Sequence, residues 1–270
     1  SLLDGTGSEP LREMSIVIDD QVITRVETGY IAPEPDDIYL DLTGYFVLPG
    51  LIDMHVHLSS EYSSKSYEES ISLNSSDYAI KAVANARKTL LAGFTTVRNL
   101  GDSGNVTVSL RNAINKGVVP GPRIFSSGKT ISSSGGHGDP TNSLRSELSS
   151  DPGPAQGVIN NSSDSFKAVR YRYKENADLI KITATGGVLS NAKNSQNPQM
   201  TAEEISLKLK TFAHSEFSDE KFSSVKIIRQ KIINNVDLFN RGHKYRVIKL
   251  DHKFPKYILN NQKKYDEFII

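Results

Sequence analysis

Three short stretches near the start of the chain alternate apolar and polar residues. They are Met14–Ile18, Gln21–Val26 and Ile38–Leu42. Side chains of a strand point to opposite faces in turn, so a period of two is typical of a strand with one buried face. Asp19 and Asp20 predict a turn between the first two strands. The sequence therefore predicts a small β-layer over residues 1–46.

From Val47 onward the pattern changes to alternating strands and helices. The predicted strands are Val47–Leu58, Phe94–Leu100, Arg123–Ser127 and Asp178–Ile182. The predicted helices have apolar residues three and four positions apart and are Asp77–Leu91, Val106–Ile114 and Ser163–Asn176. In the last of these, Phe166, Val169 and Tyr173 are expected to share the buried side. A capping box at Thr201–Glu204 predicts the start of a further helix.

Strands that alternate with helices predict a parallel sheet. Short turns on one side and long loops after the strands, such as Gly128–Asn160, favour an α/β fold with a partial (β/α)8 TIM-like barrel of about four βα units. The doubly wound open sheet is the alternative. It is disfavoured because the first strand and helix are not joined by a glycine-rich turn.

The first strand of this series ends in two histidines, His55 and His57. Positions two apart on a strand share a face, so both imidazoles point the same way, as metal ligands do. Asp53 lies on the same face and could orient a ligand or carry a proton. The alternative is a buried strand with two histidines, each of which would then need a buried partner.

Lys181 is the second candidate, because it stands between Ile180 and Ile182 in a strand expected to be covered on both faces. An unpaired ammonium group there would be costly. One interpretation is a salt bridge inside the barrel. The other is a deprotonated amine that reacts with carbon dioxide to give a carbamate, an anionic ligand that can bridge two divalent metals.

Composition narrows the classes of partner. A net charge of +1 makes neither nucleic acid nor an anionic membrane an expected partner, and the absence of cysteine excludes disulfides and thiolate-bound zinc. The sequence contains no run of about 18 apolar residues, which is the length that a membrane-spanning helix needs. We therefore expect a cytoplasmic protein that acts on a small molecule.

Five separated motifs, in order, resemble the amidohydrolase superfamily, and most of all its imidazolonepropionase-like and metal-dependent Xaa-Pro-type dipeptidase branch. The similarity covers roughly residues 1–214. The motifs are Leu3–Gly7 (LDGTG), Leu48–Leu58 (LPGLIDMHVHL), Gly93–Arg98 (GFTTVR), Gly135–Asp139 (GGHGD) and Asp178–Ile182 (DLIKI).

The resemblance implies hydrolysis of an amide or related C–N bond, with a dipeptide or an N-acyl amino acid as the substrate. In that branch two divalent ions, usually zinc, share a bridging hydroxide. By position, His55 and His57 would hold the more buried ion, and carbamylated Lys181 would bridge the two. His137 would contact the substrate, although a plain loop histidine is the alternative. Residues 1–46 would be the N-terminal strands of a composite β-sandwich.

The chain also departs from the family pattern. The family normally has a histidine at the end of each of the two strands after the lysine and a catalytic aspartate on its last strand. His214 and His243 do not fit those positions, and His252 is the only geometrically plausible substitute, although it lacks the flanking residues of the family. Because no residue matches the aspartate, we identify no catalytic residue. Residues 47–214 correspond to the first half of the barrel, and a truncated barrel would expose strand edges and is expected to self-associate.

The segment 215–270 differs from the rest of the chain. It holds 12 Lys and Arg against 7 Asp and Glu, a net charge of +5, and it has one glycine and no alanine. One hypothesis is that residues from about 206 onward come from a shifted frame, a retained intron or a faulty gene model. Three functions stay open: a metal-dependent hydrolase, a catalytically inactive remnant, and a binding protein that uses this basic tail.

Overall fold

The computed structural model describes residues 1–187 and 197–201, together with the backbone of residues 245–251. These residues divide into two compact units. One is built on Ser1–Leu51 and includes the segment 245–251, and the other begins at Ile52.

Within the described residues, the regular elements follow the predicted order closely. The strands are β1 (Met14–Asp19), β2 (Val22–Thr28), β3 (Ile38–Thr43), β4 (Leu51–Val56), β5 (Phe94–Asn99), β6 (Arg123–Ser126) and β7 (Tyr245–Asp251). The helices are α1 (Ser66–Ser72), α2 (Ser75–Leu91), α3 (Val106–Asn115) and α4 (Ser162–Lys174), with a short 3₁₀ helix at Pro154–Gln156. Helix α1 was not predicted.

The first unit contains a four-stranded mixed sheet in the order β2-β1-β7-β3. Strand β1 is antiparallel to β2 and β7, whereas β3 is parallel to β7. Its apolar core contains Leu2, Met14, Ile16 and Ile18. The turn between β1 and β2 differs from the prediction by one residue, because Asp19 still pairs within the sheet and Asp20 adopts the left-handed φ of 54°.

The second unit contains a three-stranded sheet in the order β4-β5-β6, with β5 and β6 parallel. Helices α2 and α3 pack on it and on each other. Their shared core contains Leu58, Ala82, Ala86, Val97, Val106, Leu110, Ile114 and Ile124. The alternation of strands and helices predicted from Val47 onward is therefore observed for β4, β5 and β6. His57 directly follows the carboxyl end of β4.

The strand predicted over Asp178–Ile182 is present only as a single bridge, from Ile182 to Ile131. The Asp178 N–H donates to Ser126 O at 2.7 Å, so the segment begins beside the end of β6. Gly128, with a φ of +56°, then bends the neighbouring chain, and pairing resumes only at Ile131. The segment thus lies next to β6 without forming a regular strand.

Helix α4 has the predicted bounds to within two residues, but of the three residues predicted to be buried only Val169 packs against the core. Phe166 is 40% exposed and Tyr173 is 52% exposed, whereas Ala168 and Arg172 are buried. Arg172 can occupy the buried side because its guanidinium donates to Lys129 O and Ala155 O and pairs with Glu175. The buried side of α4 therefore holds a paired cation where aromatic side chains were predicted, while Arg172 Nε has no hydrogen-bond partner among the described residues.

No helix in the described part of the chain is both long enough and apolar enough to cross a bilayer. The helix predicted to open at Thr201–Glu204 lies outside the described residues beyond Thr201 itself, as do His214, His243 and His252.

Candidate metal centre

His55 and His57 lie at the end of β4, and their rings face each other. The ring centroids are 5.3 Å apart and the ring planes are inclined by 58°. Both side chains are exposed, so neither needs the buried partner that a purely structural histidine would require. Metal–nitrogen bonds of about 2.1 Å at a tetrahedral angle place two ligating imidazole centroids about 5 Å apart. The observed spacing fits this geometry.

The His57 ring is oriented by the loop after β5. Its Nδ1 lies 3.3 Å from the carbonyl oxygen of Gly101. In the tautomer that carries the proton on Nδ1, the ring donates this hydrogen bond and leaves Nε2 with a free lone pair, as a metal ligand requires. Gly101 has a φ of +127°. A Cβ on this residue would collide with Thr130 Oγ1.

The surroundings of His55 favour its neutral form. Burial lowers the pKa of His55 most, and the positive charges of Lys181, His57 and Arg98 lower it further, while Asp53 opposes them. Asp53 Oδ1 accepts a hydrogen bond from the backbone N–H of His55 at 2.9 Å. Asp53 therefore orients the main chain of this ligand candidate, and its second suggested role, as a proton carrier, stays a prediction.

Lys181 is half-buried, which differs from the expectation of a strand covered on both faces. Burial lowers the pKa of its amine, and the neighbouring charge of Arg98 lowers it further. Among the described residues, no carboxylate forms an ion pair with Lys181, so the salt-bridge interpretation has no support there. The positive charge of Lys181 lowers the pKa of His55, so the two groups interact electrostatically.

Arg98 is the residue of this region to which sequence reasoning gave no role. It lies on β5, and its Nε donates to the carbonyl oxygen of Met54, the residue before His55, at 2.8 Å. Its charge acts on both His55 and Lys181. Its position inside the Gly93–Arg98 motif was the only signal in the sequence that could have singled it out.

His137 lies in the exposed loop after β6. Its backbone N–H donates to Gln199 Oε1 at 2.8 Å. Its ring packs against Gly187, because a Cβ on that glycine would lie 2.7 Å from His137 Cε1. The loop histidine is thereby held next to the segment that follows Lys181, although its role as a substrate contact stays a prediction.

The donor set suits a divalent ion, provided that Lys181 contributes. No group of three or more His, Cys, Asp or Glu side chains within the described ranges is arranged to hold a metal. The candidate centre instead combines two imidazoles with one lysine amine whose pKa is lowered. Neutral imidazole nitrogens are typical zinc ligands, and a carbamate on Lys181 would add anionic oxygen.

Parallel strands covered by helices, with candidate ligands at the strand ends, define a TIM-barrel-like α/β protein. Residues 46–218 match the amidohydrolase family model, and the chain belongs to this family, in a dipeptidase-like branch. The resemblance drawn from the five motifs is therefore confirmed. The family as a whole generally uses divalent metals.

Two solved structures show how the chain compares in three dimensions. A Xaa-Pro dipeptidase with methionine bound in its active site is 48% identical, with a TM-score of 0.73 over 77% of this chain and 51% of that one. A prolidase complexed with N-methylphosphonate-L-proline is 30% identical, with a TM-score of 0.66 over 77% of this chain and 51% of that one.

One protein with a similar sequence is the ochratoxinase of Aspergillus niger. It is 28% identical over 221 residues, which cover 76% of this chain and 45% of the relative. The chain thus spans about half the length of the relatives that it matches.

Proposed function

We propose that this chain is a metal-dependent hydrolase of amide and related C–N bonds, with a dipeptide or an N-acyl amino acid as its substrate. The observation that carries the proposal is the pair of imidazoles at the end of β4, with ring centroids 5.3 Å apart. Membership of the amidohydrolase family and similarity to a Xaa-Pro dipeptidase, a prolidase and an ochratoxinase support the reaction class.

His55, His57 and Lys181 would hold the metal in this proposal. Metal ligands must be deprotonated to bind, and the charge of Arg98 favours the neutral forms of both His55 and Lys181. A divalent ion, which we expect to be zinc, would supply Lewis acidity that lowers the pKa of water and polarises the scissile carbonyl.

Lys181 would act as a carbamate. Its neutral amine attacks carbon dioxide, a C–N bond forms, and one proton leaves to solvent, which yields an anionic group with two oxygen donors. The lowered pKa of the amine supports this step, because it raises the fraction of the unprotonated nucleophile. His137 would contact the substrate, and its exposed position in the loop after β6 is compatible with that role.

A catalytically inactive relative that still binds metal is the second candidate. No residue within 1–214, the part of the chain that resembles the family, matches the family's catalytic aspartate. We accordingly assign no residue to proton transfer. The basic-tail binding protein stays a hypothesis, as do the cytoplasmic location and the division into 1–46, 47–214 and 215–270.

Self-association through strand edges is part of the same proposal. Strand β4 lies at one edge of the three-stranded sheet in the described part of the chain. Leu51 and Met54 on this strand are each 43% exposed. An exposed strand edge with apolar side chains is a surface on which another chain can pair.

Hydrolysis of a panel of Xaa-Pro dipeptides and N-acyl amino acids tests the proposed function. We expect turnover that is lost after chelation, returns when a divalent metal is added back, and is abolished by His57→Ala. A chain that binds metal but hydrolyses nothing in the panel would support the inactive relative. Turnover that chelation does not change would contradict the proposed metal dependence.

A further inference from the structure

Asn99, the last residue of β5, is fully buried and uses its whole side-chain amide. Its Oδ1 accepts a hydrogen bond from the backbone N–H of Leu58 at 2.8 Å. Its Nδ2 donates to the carbonyl oxygen of Gly101 and to Thr107 Oγ1, each at 3.2 Å. One acceptor and two donors are therefore all engaged, and the orientation of the amide is determined.

Two of these partners are immediate neighbours of His57. Leu58 is the residue after His57, so the bond to its N–H fixes the main chain on that side of the histidine. Gly101 O is the same oxygen that lies 3.3 Å from His57 Nδ1. Asn99 thus holds both the backbone beside the imidazole and the acceptor that the imidazole faces.

We infer that Asn99 is a positioning residue that fixes the His57 imidazole in its Nδ1–H tautomer and directs Nε2 toward the candidate metal centre. The inference rests on the proposed function only where it takes a metal ion to be the partner of His57 Nε2. The tautomer itself follows from the contacts of Asn99 and Gly101.

The physical reason is that His57 Nδ1 and Asn99 Nδ2 share one acceptor, Gly101 O, and that the buried Asn99 side chain holds this oxygen in place. A carbonyl oxygen that faces Nδ1 stabilises a proton on that nitrogen and repels a lone pair. If Gly101 O were free to turn away, this preference would weaken. The Asn99 amide prevents the turn, because its Nδ2 donates to the same oxygen and its Oδ1 is bound to Leu58.

The side-chain amide is required in this position. In an Asn99→Asp variant of equal size, the Leu58 N–H can still donate to one carboxylate oxygen, whereas the Thr107 hydroxyl already donates its proton to Asp102 Oδ2. The second carboxylate oxygen would then face Gly101 O, and two acceptors repel each other. The substitution therefore breaks the links to Gly101 and Thr107 and keeps the link to Leu58.

Nitrogen-15 NMR of the histidine rings measures the tautomer directly. Spectra are recorded on the full chain, without metal, at a pH above the titration range of imidazole, and the His57 signals are assigned by their loss in a His57→Gln variant. We expect the wild-type ring to carry its proton on Nδ1. In Asn99→Asp, the Nδ1 and Nε2 shifts should move toward the values of a tautomer mixture.

Thr107→Val is the matched control. It removes the Thr107 hydroxyl, which accepts from Asn99 Nδ2 and donates to Asp102 Oδ2, and it keeps the bonds of Asn99 to Leu58 and Gly101. The His57 shifts should therefore not change. A wild-type His57 protonated mainly on Nε2 would overturn the inference, even if Asn99→Asp fails to fold. Equal shift changes in Asn99→Asp and Thr107→Val would overturn it as well.

The outcome is separable from that of the proposed function, because neither metal nor substrate is present. A fixed Nδ1–H tautomer in a chain without hydrolytic activity would keep the inference and remove the function. An active chain whose His57 is a tautomer mixture would do the reverse.

Discussion

Gly101 combines two constraints at the candidate site. Its carbonyl faces the His57 ring, and its φ of +127° is one that side chains with a Cβ rarely adopt. His57 lies in the Leu48–Leu58 motif and Gly101 lies in none of the five motifs, so their contact could not be predicted from spacing. The paired histidines could be predicted, because the period of a strand puts His55 and His57 on one face.

Gly101→Ala is expected to destabilise the chain by about 1–3 kcal/mol, because backbone strain is added to a collision with Thr130. Gly135→Ala is the control. Gly135 also has a positive φ, of +70°, but a Cβ there meets nothing within 4 Å among the described residues. Urea denaturation should show the larger loss for Gly101→Ala, and equal losses would contradict the contact.

Asp102 should make stability decrease as pH rises. Burial raises its pKa, although hydrogen bonds from Thr107 and the charges of Lys129 and Arg172 oppose this effect. The folded state therefore holds this proton more tightly, and stability falls from the unfolded pKa of about 3.9 upward through the folded pKa. Relative to Asp102→Asn, the wild type should lose free energy of unfolding across that window.

The pKa of Asp139 is shifted in the opposite direction, so its contribution to stability depends on pH in the opposite way. Burial raises its pKa, but hydrogen bonds from Gly135 and Thr141 outweigh burial and lower it. Its contribution should be present above about pH 4 and lost as pH falls through the folded pKa. Urea denaturation from about pH 3 to about pH 7 compares both variants with the wild type. Parallel pH profiles for Asp102→Asn and Asp139→Asn would contradict this assignment.

At the scale of elements, the hydrophobic pattern predicted which segments are helices and strands better than which faces are buried. Helix α2 forms as predicted, yet Ile80 is 72% exposed while Ala82 and Ala86 are fully buried. Small side chains face the core because α2 packs closely on α3 and β5. The pattern weighs a large apolar residue more than a small one, and so it cannot show where two elements must approach closely.

Substitutions on α2 should therefore have unequal effects. Ala86→Leu inserts volume into a filled contact with Ile114 and its neighbours and should cost about 1–3 kcal/mol. Ile80→Ser changes an exposed position and should stay within about 0.5 kcal/mol. Thermal or urea unfolding measures both, and a larger loss for Ile80→Ser would show that the buried face is assigned incorrectly.

The segment 178–182 shows a different limit of the pattern. Its apolar residues predict a strand, but regular pairing also requires a continuous partner, and Gly128 bends the neighbouring chain. The strand over Tyr245–Asp251 is the converse case. It pairs with β1 and β3, which are more than 200 residues earlier in the chain, and such a distant pairing cannot be read from a local pattern.

At the scale of the whole molecule, the chain spans about half the length of its relatives, and β4 lies at a sheet edge within the described residues. We expect association that increases with protein concentration, measured by light scattering after size-exclusion chromatography. Met54→Lys places a charge on the edge strand and should favour the monomer. Val118→Lys, at a position that is 72% exposed outside the sheet, should not. A wild type that stays monomeric at all concentrations would contradict this proposal.

The proposed metal centre is tested most directly by the divalent metal that the purified chain retains after free metal is removed, measured by elemental analysis. Stoichiometric metal is expected in the wild type and in the control His137→Ala, because His137 is placed outside the ligand set. His57→Ala and Lys181→Met should each lose it. If His57→Ala retained as much metal as the wild type, the paired imidazoles at the end of β4 would not be the metal site.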